Sequence, residues 1–505
     1  ALSPLKASPD RVAPSHARSA TCQTGNLQGE LLSVHKIDQA WPGAPGLSGL
    51  SGYFLFHRKQ RIKQSAKSCR SCQKKENMMD NILIVADDLT GAADTGVQFC
   101  PFYDNTVLIS YLQLSDAVAP ASGSAVALYT NSRALDMPTA HKRLRSVARR
   151  LSELKPFWLY KKIDSCLRGN PGAETEALID ELAYKASFIA PAFPEMGRTT
   201  VNGIHLIHGI PVGQTEISRD PVTPVTESDL RTVIKNQCRY SVGHIPLNLL
   251  EEEDTALGDE IERQIREGIR HIVFDTTCRQ HLDRIARLIF ASSHRILPVG
   301  SAGLAAGFGG LLSSGPGLKT YDHRSFEGGN HLLVCGTNSE VTRRQIKTLA
   351  AAYPHEEIAL DRGILADAPP RDAFLNCASL VRSKLSAKHV VVTMESPPHP
   401  AGSARLLHPQ QTAQSLIAGL GRFLAAVLTE IRPGLLFLTG GDTADAVITS
   451  AGAQGIRILN EVVTGMVQGT LIGGPLDGLP VVTKAGAFGR DDMLVVLHEM
   501  LMGKG

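Results

Sequence analysis

The 505-residue chain is poor in aromatic side chains, at 5% with only two tryptophans. It also lacks any run near the roughly 18 to 20 consecutive apolar residues that a membrane-spanning helix needs, which excludes an integral helical membrane protein. Its nine cysteines are scattered, and Cys69–Cys72 is the one C-x-x-C pair, with no second pair to complete a zinc site. A disulfide framework is therefore excluded in a chain of this length, and a reducing cytoplasm is the expected location. No strong excess of one charge exists either, since 52 basic side chains face 49 acidic ones. There is no G-x-x-x-x-G-K-[ST] loop, and no G-x-G-x-x-G opens a helix after the first strand, so neither a P-loop nor a dinucleotide fingerprint is present. What the chain does have is 43% hydrophobic residues, 46 glycines and 28 prolines, the balance of a loop-rich α/β protein large enough for two domains.

The charge is unevenly spread. Residues 1–77 hold 12 basic and 4 acidic side chains, and the rest of the chain holds 40 and 45. Eight basic residues and no acidic one fall between Arg58 and Lys75. The leader has no apolar periodicity and is expected to be disordered. It lacks the charged-then-apolar order of a signal peptide, and Met78-Met79 stand just before the first strand-like run. The mildly acidic body argues against nucleic acid as a partner.

From Asn81 the pattern becomes one of buried parallel strands separated by helical stretches: Ile82–Ala86, Val107–Tyr111, Ala125–Tyr129, Phe157–Tyr160, Phe188–Ala190, His271–Asp275 and Ile296–Val299. Residues 313–330 have linker composition. The alternation then restarts with His331–Cys335, Val390–Thr393, Leu435–Leu438 and Pro480–Thr483, and the segment Gln411–Ile431 reads as a helix. The expectation is an α/β protein of two domains, 78–312 and 331–505, each a mostly parallel sheet flanked by helices, with the active site in the cleft between them.

In open α/β sheets ligands bind beyond the carboxyl ends of the strands. There the first half presents Asp87-Asp88, Thr130–Arg133 and Lys161–Ser165 followed by Arg168-Gly169-Asn170. A strand-end Asp also serves as a helix N-cap, but charges of both signs at three strand ends suit a small, anionic, polyhydroxylated molecule. Arg133 and Lys162 can hold a carboxylate, and Asp88 or Asp164 can accept from hydroxyls. The segment from Pro191 to Thr200 reads as a rigid loop, a lid or hinge. The second half presents glycine turns at strand ends, Cys335–Ser339, Thr439–Thr443 and Thr483–Gly489. Backbone N–H groups at a helix start favour phosphate, although single Gly-Gly turns often serve only to reverse the chain. A hydroxy-acid site facing a phosphate site suggests phosphoryl transfer with Mg²⁺ bridging phosphate oxygens. A non-catalytic sensor of both ligands fits the same residues.

Several motifs go further. Asp87-Asp88-Leu89-Thr90-Gly91-Ala92 with Asp94-Thr95-Gly96, Lys161-Lys162-Ile163-Asp164-Ser165, Leu167-Arg168-Gly169-Asn170, Gly197-Arg198-Thr199-Thr200, Thr439-Gly440-Gly441-Asp442-Thr443 and the closing Gly473–Gly486 run resemble the four-carbon acid sugar kinase family, from about Asn81 to the C-terminus. The resemblance implies an ATP-dependent kinase acting on the terminal hydroxyl of a four-carbon sugar acid. The acid would be held by Asp88, Arg133, Lys162, Asp164 and Ser165, with Asp88 orienting or deprotonating the hydroxyl. ATP would lie against Thr337, Gly440, Gly441, Asp442, Thr443 and Gly486. Metal ligands are left unassigned, and a homo-oligomer is compatible with the resemblance. The wording around Asp87 is most similar to D-threonate and D-erythronate kinases, so D-threonate is the first expected substrate, with D-erythronate and 3-oxo-tetronate as alternatives. Cys166, Ala487 and Thr337 depart from the family pattern without removing a charged group.

Overall fold

In the computed structural model the described residues are 81–114, 123–154, 158–220, 222–312, 328–336, 339–395, 409–486 and 488–501. The basic leader, most of the 313–330 linker, Thr337 and Ala487 lie outside them. Every apolar run named above is a strand. In chain order the strands are β1 (Ile82–Ala86), β2 (Asn105–Ser110), β3 (Ser124–Tyr129), β4 (Trp158–Lys162), β5 (Ala186–Ala190), β6 (Arg198–Val201), β7 (Ile204–Ile207), β8 (Ile210–Pro211) and β9 (Val242–Ile245). They continue as β10 (His271–Phe274), β11 (Ile296–Gly300), β12 (His331–Cys335), β13 (Glu356–Leu360), β14 (Val390–Met394), β15 (Leu435–Thr439), β16 (Gly455–Val463), β17 (Met466–Ile472) and β18 (Pro480–Lys484).

The strands bury both faces because helices cover both sides of the sheet. In β1, Ile82, Ile84 and Ala86 enter one apolar cluster while Leu83 and Val85 enter the other, as the two-residue period of a strand requires. Three helices set the N-terminal half of the site: α1 (Leu89–Gly96), α2 (Met137–Ser152) and α3 (Pro171–Glu181). In α2, Asp136 caps the N-terminus by accepting from the Thr139 N–H at 2.9 Å. Ala140, Leu144, Val147, Ala148 and Leu151 form its buried stripe. In the C-terminal half, α4 (Gly441–Ser450) follows β15, and the long helix expected at Gln411–Ile431 spans Pro409–Leu428.

The sheets of the two halves are one sheet. Its 15 strands run in the order β13-β14-β12-β15-β18-β17-β16-β2-β3-β1-β4-β11-β5-β10-β9. Within this sheet the strands of the N-terminal half are all parallel, and only the β16–β17 hairpin runs against its neighbours. The seam is the antiparallel pairing of β16 with β2, with Gly455 opposite Ile109 and Ile458 opposite Thr106. This joining has no signature in the apolar runs. The segment expected to be a rigid loop at Pro191–Thr200 is instead a short turn whose Gly197, at φ 71°, leads into β6. Strands β6, β7 and β8 then form a separate three-stranded sheet. No helix among the described residues is long and apolar enough to cross a membrane.

The seam depends on close backbone approach. A methyl group at Gly455 would lie 2.2 Å from the Leu108 carbonyl oxygen, which cannot yield without opening the pairing. Gly455→Ala is expected to lower the unfolding free energy by about 1–3 kcal/mol, the usual cost of overpacking. In contrast, Gly258, inside the helix Asp254–Arg266 with open space around it, should gain roughly 0.4–1 kcal/mol as alanine. Urea denaturation midpoints of the two variants check both signs.

Candidate active site

Strands β3, β1 and β4 are adjacent and in register, with Ala86 level with both Tyr129 and Lys162. Their carboxyl ends therefore deliver Asp87-Asp88, Asn131–Arg133 and Lys162–Ser165 to one place. At its centre is Arg133. Its Nε and one terminal nitrogen donate to the two oxygens of Asp87 at 2.7 and 2.9 Å, and its terminal nitrogens donate to both oxygens of Asp88 at 2.7 and 2.9 Å. Asp164 lies 3.9 Å from the same guanidinium. Burial alone would raise the Asp87 carboxyl, but the Arg133 charge and hydrogen bonds outweigh it and hold the group below its ordinary value.

Asp88 is also the N-cap of α1, accepting from the Gly91 N–H at 3.0 Å and from the Thr90 hydroxyl at 2.7 Å. The capping role of a strand-end Asp and its place in a charged cluster thus coexist. Its two oxygens accept four hydrogen bonds, which fills a carboxylate. Asp164 is likewise engaged, by Arg168 Nε at 2.8 Å. Against the upward pull of burial, Arg168 and then Arg133 keep its carboxyl far below the usual range. The carbonyl of Ser165, next in the chain, accepts from His205 Nε2 at 2.8 Å.

The two lysines at the end of β4 separate into different roles. Lys161 is fully buried under the sheet, 2.6 Å from Glu174 on α3. Lys162 points the other way. It is 4% exposed, and its ammonium makes no hydrogen bond or ion pair among the described residues. Its Nζ lies over the bare backbone of Gly91, where a methyl group would come within 2.9 Å of it. A buried ammonium without a partner is costly unless an anion arrives.

The C-terminal half faces this cluster. Gly440, at φ 98°, ends β15 and starts α4, and its N–H donates to the Lys484 carbonyl at 2.8 Å. Gly441 abuts the aspartate cluster, since a methyl group there would stand 3.1 Å from Asp88 Oδ2 and 3.3 Å from the Thr90 hydroxyl. In the first turn, Asp442 has no hydrogen bond or ion pair among the described residues, and desolvation followed by the Asp88 charge raises its carboxyl. Thr443 turns inward against Gly336. The Gly486 carbonyl accepts from the Thr342 hydroxyl at 2.7 Å. Lys484 is not presented to a ligand: its ammonium donates to the carbonyls of Ala485 and Phe488 at 2.8 and 3.0 Å, and burial lowers it to about 8.

Five residues outside the expected set tie the halves together or complete the cleft. On α4, Asp445 accepts from the Tyr129 hydroxyl at 2.6 Å and from Asn131 Nδ2 at 2.7 Å. Arg198, at the start of β6, lies 5.4 Å above the Phe488 ring, and its Nε is enclosed with no hydrogen-bond partner among the described residues. Arg198 stood in a quoted motif without a role, and nothing in the spacing linked it to Phe488.

Removing one member of the Lys161–Glu174 pair strands a buried charge. Glu174→Ala is expected to destabilise the fold by about 3–5 kcal/mol, and the joint replacement Lys161→Met with Glu174→Leu to recover most of it. Thermal melts of the two variants side by side provide the check.

Models of a sugar-binding N-terminal domain and a nucleotide-binding C-terminal domain match residues 82–308 and 332–494. The chain is 30% identical over 442 residues to a D-erythronate kinase of Heliobacterium modesticaldum, covering 84% of this chain and 98% of the relative. It is 33% identical over 425 residues to a D-threonate kinase of Bordetella bronchiseptica, covering 82% and 95%. A 3-oxo-tetronate kinase of Brucella melitensis is 26% identical over 423 residues, covering 81% and 93%. The same fold occurs in a solved structure from Salmonella typhimurium described as a putative tRNA synthase, with TM-score 0.66, 22% identity and coverage of 83% of this chain and 98% of that one.

Proposed function

Because the chain belongs to the four-carbon acid sugar kinase family, we propose that it transfers the γ-phosphoryl group of ATP to the terminal hydroxyl of a four-carbon sugar acid, D-threonate giving 4-phospho-D-threonate. The observation that carries this reading is the unpaired Lys162 ammonium, buried with Asp88 against Gly91, while the other oxygen of Asp88 abuts Gly441 at the start of α4. D-threonate is preferred over 3-oxo-tetronate because relatives named for it reach 31% and 33% identity against 26%.

In this reading the N-terminal half, residues 78–312, holds the acid and the C-terminal half, residues 331–505, holds the nucleotide. Lys162 takes the acid's carboxylate as a point charge. Asp164 and Ser165 accept from or donate to its hydroxyls, and Asp88 orients the terminal one by exchanging for it the bond it now accepts from the Thr90 hydroxyl. Arg133 acts chiefly through the aspartates: four of its five N–H donors go to Asp87 and Asp88, so it fixes their directions and has one donor left for the acid. Gly440, Gly441 and Gly486 let the phosphates approach the backbone, Thr443 supports that turn from within, and the positive end of α4 favours their charge. Thr337 is assigned to the nucleotide on family resemblance alone. Mg²⁺, when bound with the nucleotide, would neutralise charge on the transferring phosphates, and the partnerless Asp442 fits as the carboxylate to hold it. The cytoplasm is the proposed site of action, supported by six unpaired cysteines among the described residues.

The test is ADP release with ATP, Mg²⁺ and a panel of D- and L-threonate, D- and L-erythronate and 3-oxo-tetronates. Turnover is expected with D-threonate above the other acids. Lys162→Ala should lower kcat/KM by roughly 10²–10⁴-fold, the loss of a charge-assisted contact in a desolvated site. Binding of both ligands with no phosphorylated product from any acid would instead favour a sensor.

A further inference from the structure

Phosphorylating a hydroxyl requires a group to take its proton, and the cleft carboxylates differ sharply in their freedom to do so. Asp87 is bound along both oxygens by Arg133. Asp88 accepts four hydrogen bonds, two of them from the same guanidinium. Asp164 is bound by Arg168. Asp87 and Asp164 are held as anions by neighbouring cations, and such a carboxylate has little affinity for another proton; the oxygens of Asp88 are occupied by donors already in place.

Asp94, like Asp442, is free of such a cation, but unlike Asp442 it belongs to the half assigned to the acid. It lies on α1 three residues after Gly91, hence one turn along on the same helix face. That face is where Lys162 Nζ and Asp88 Oδ1 crowd the missing side chain of Gly91. Asp94 makes no ion pair among the described residues, and its Oδ1 is enclosed with no hydrogen-bond donor. Helix α1 also touches α4, β16, β17 and β18, so Asp94 stands where the two halves meet.

We propose that Asp94 is the general base of the reaction, taking the proton of the acid's terminal hydroxyl while Asp88 only orients that hydroxyl. As the hydroxyl oxygen forms its bond to the γ-phosphorus, the bond from that phosphorus to the β–γ bridging oxygen breaks and ADP leaves with the electron pair. The hydroxyl proton passes to the Asp94 carboxylate and then to water.

The surroundings agree with this role. Burial is the largest influence on Asp94 and raises its carboxyl to about 7. The Lys162 charge opposes that rise, Glu461 from β16 and Asp88 add to it, and Arg198 from β6 opposes it. Tyr160, beneath on β4, is itself pushed well upward by burial and stays neutral. A base with an affinity near the working pH is effective in proton transfer. The pH sign follows: activity is lost as pH falls through about 7, when Asp94 holds its proton before the substrate arrives.

The inference rests on the kinase reading, and the experiment separates the two. The full chain is assayed with ATP and the acid it turns over, from about pH 5.5 to 9, as wild type, Asp94→Asn and Asp94→Glu. The expected result is a wild-type kcat/KM with an acid limb near pH 7. Asp94→Asn should lower kcat by about 10²–10⁴-fold, with KM for the acid changed far less and the limb gone. Asp94→Glu should restore part of the rate with a displaced limb. Asp94→Asn should also melt above wild type at alkaline pH, because a carboxyl raised on folding costs stability once it ionises. Wild-type kcat/KM flat across the acid range, or Asp94→Asn within about threefold of wild type, would overturn the assignment and leave the kinase reading intact. If Asp94→Asn fails to fold, the wild-type profile and Asp94→Glu decide. ADP release from no acid in wild type would remove the kinase reading itself.

Discussion

One guanidinium, that of Arg133, sits between two consecutive carboxylates and makes the carboxyl end of β1 tolerable. Asp87 and Asp88 are both buried and adjacent in the chain, and without a shared cation their repulsion and desolvation would favour a different loop. With it, the loop has one shape. Asp88 then caps α1, α1 fixes Gly91, and the absence of a side chain at Gly91 leaves room for Lys162. The free ammonium is therefore the last link of a chain of constraints that starts 29 residues earlier at Arg133.

The second constraint is across the cleft. Asp445 on α4 receives Tyr129 and Asn131 from the end of β3, so the loop carrying Arg133 is fastened at one side to its aspartates and at the other to the nucleotide half. Gly441 against Asp88 completes the contact. A phosphoryl donor and acceptor held on these two surfaces would meet with little reorganisation, which is where most of the advantage in phosphoryl transfer lies.

Much of this was legible in the residues. Strands buried on both faces must be apolar throughout, so β1, β3, β12 and β15 declared themselves, and the residues just after them were the ones the fold brings together. The β16–β17 hairpin did not, because Arg457, Asn460 and Glu461 interrupt its apolar pattern where it is only half covered. The same holds for β13, which alternates between exposed and buried positions. The partners of Arg133 were invisible for another reason: which anion a guanidinium chooses is set by three strands in register, not by any local spacing. Likewise, Lys161 and Lys162 are neighbours in sequence, but a strand sends consecutive side chains to opposite faces. One is a buried strut and the other an ammonium with no ion pair among the described residues.

The seam between β2 and β16 carries a consequence of its own. Each half, if produced alone, would end in a bare strand with a row of unsatisfied N–H and C=O groups, the template on which β-strands of separate molecules associate. The two halves are thus obligate companions. A fragment cut between the halves would be expected to self-associate through that exposed border.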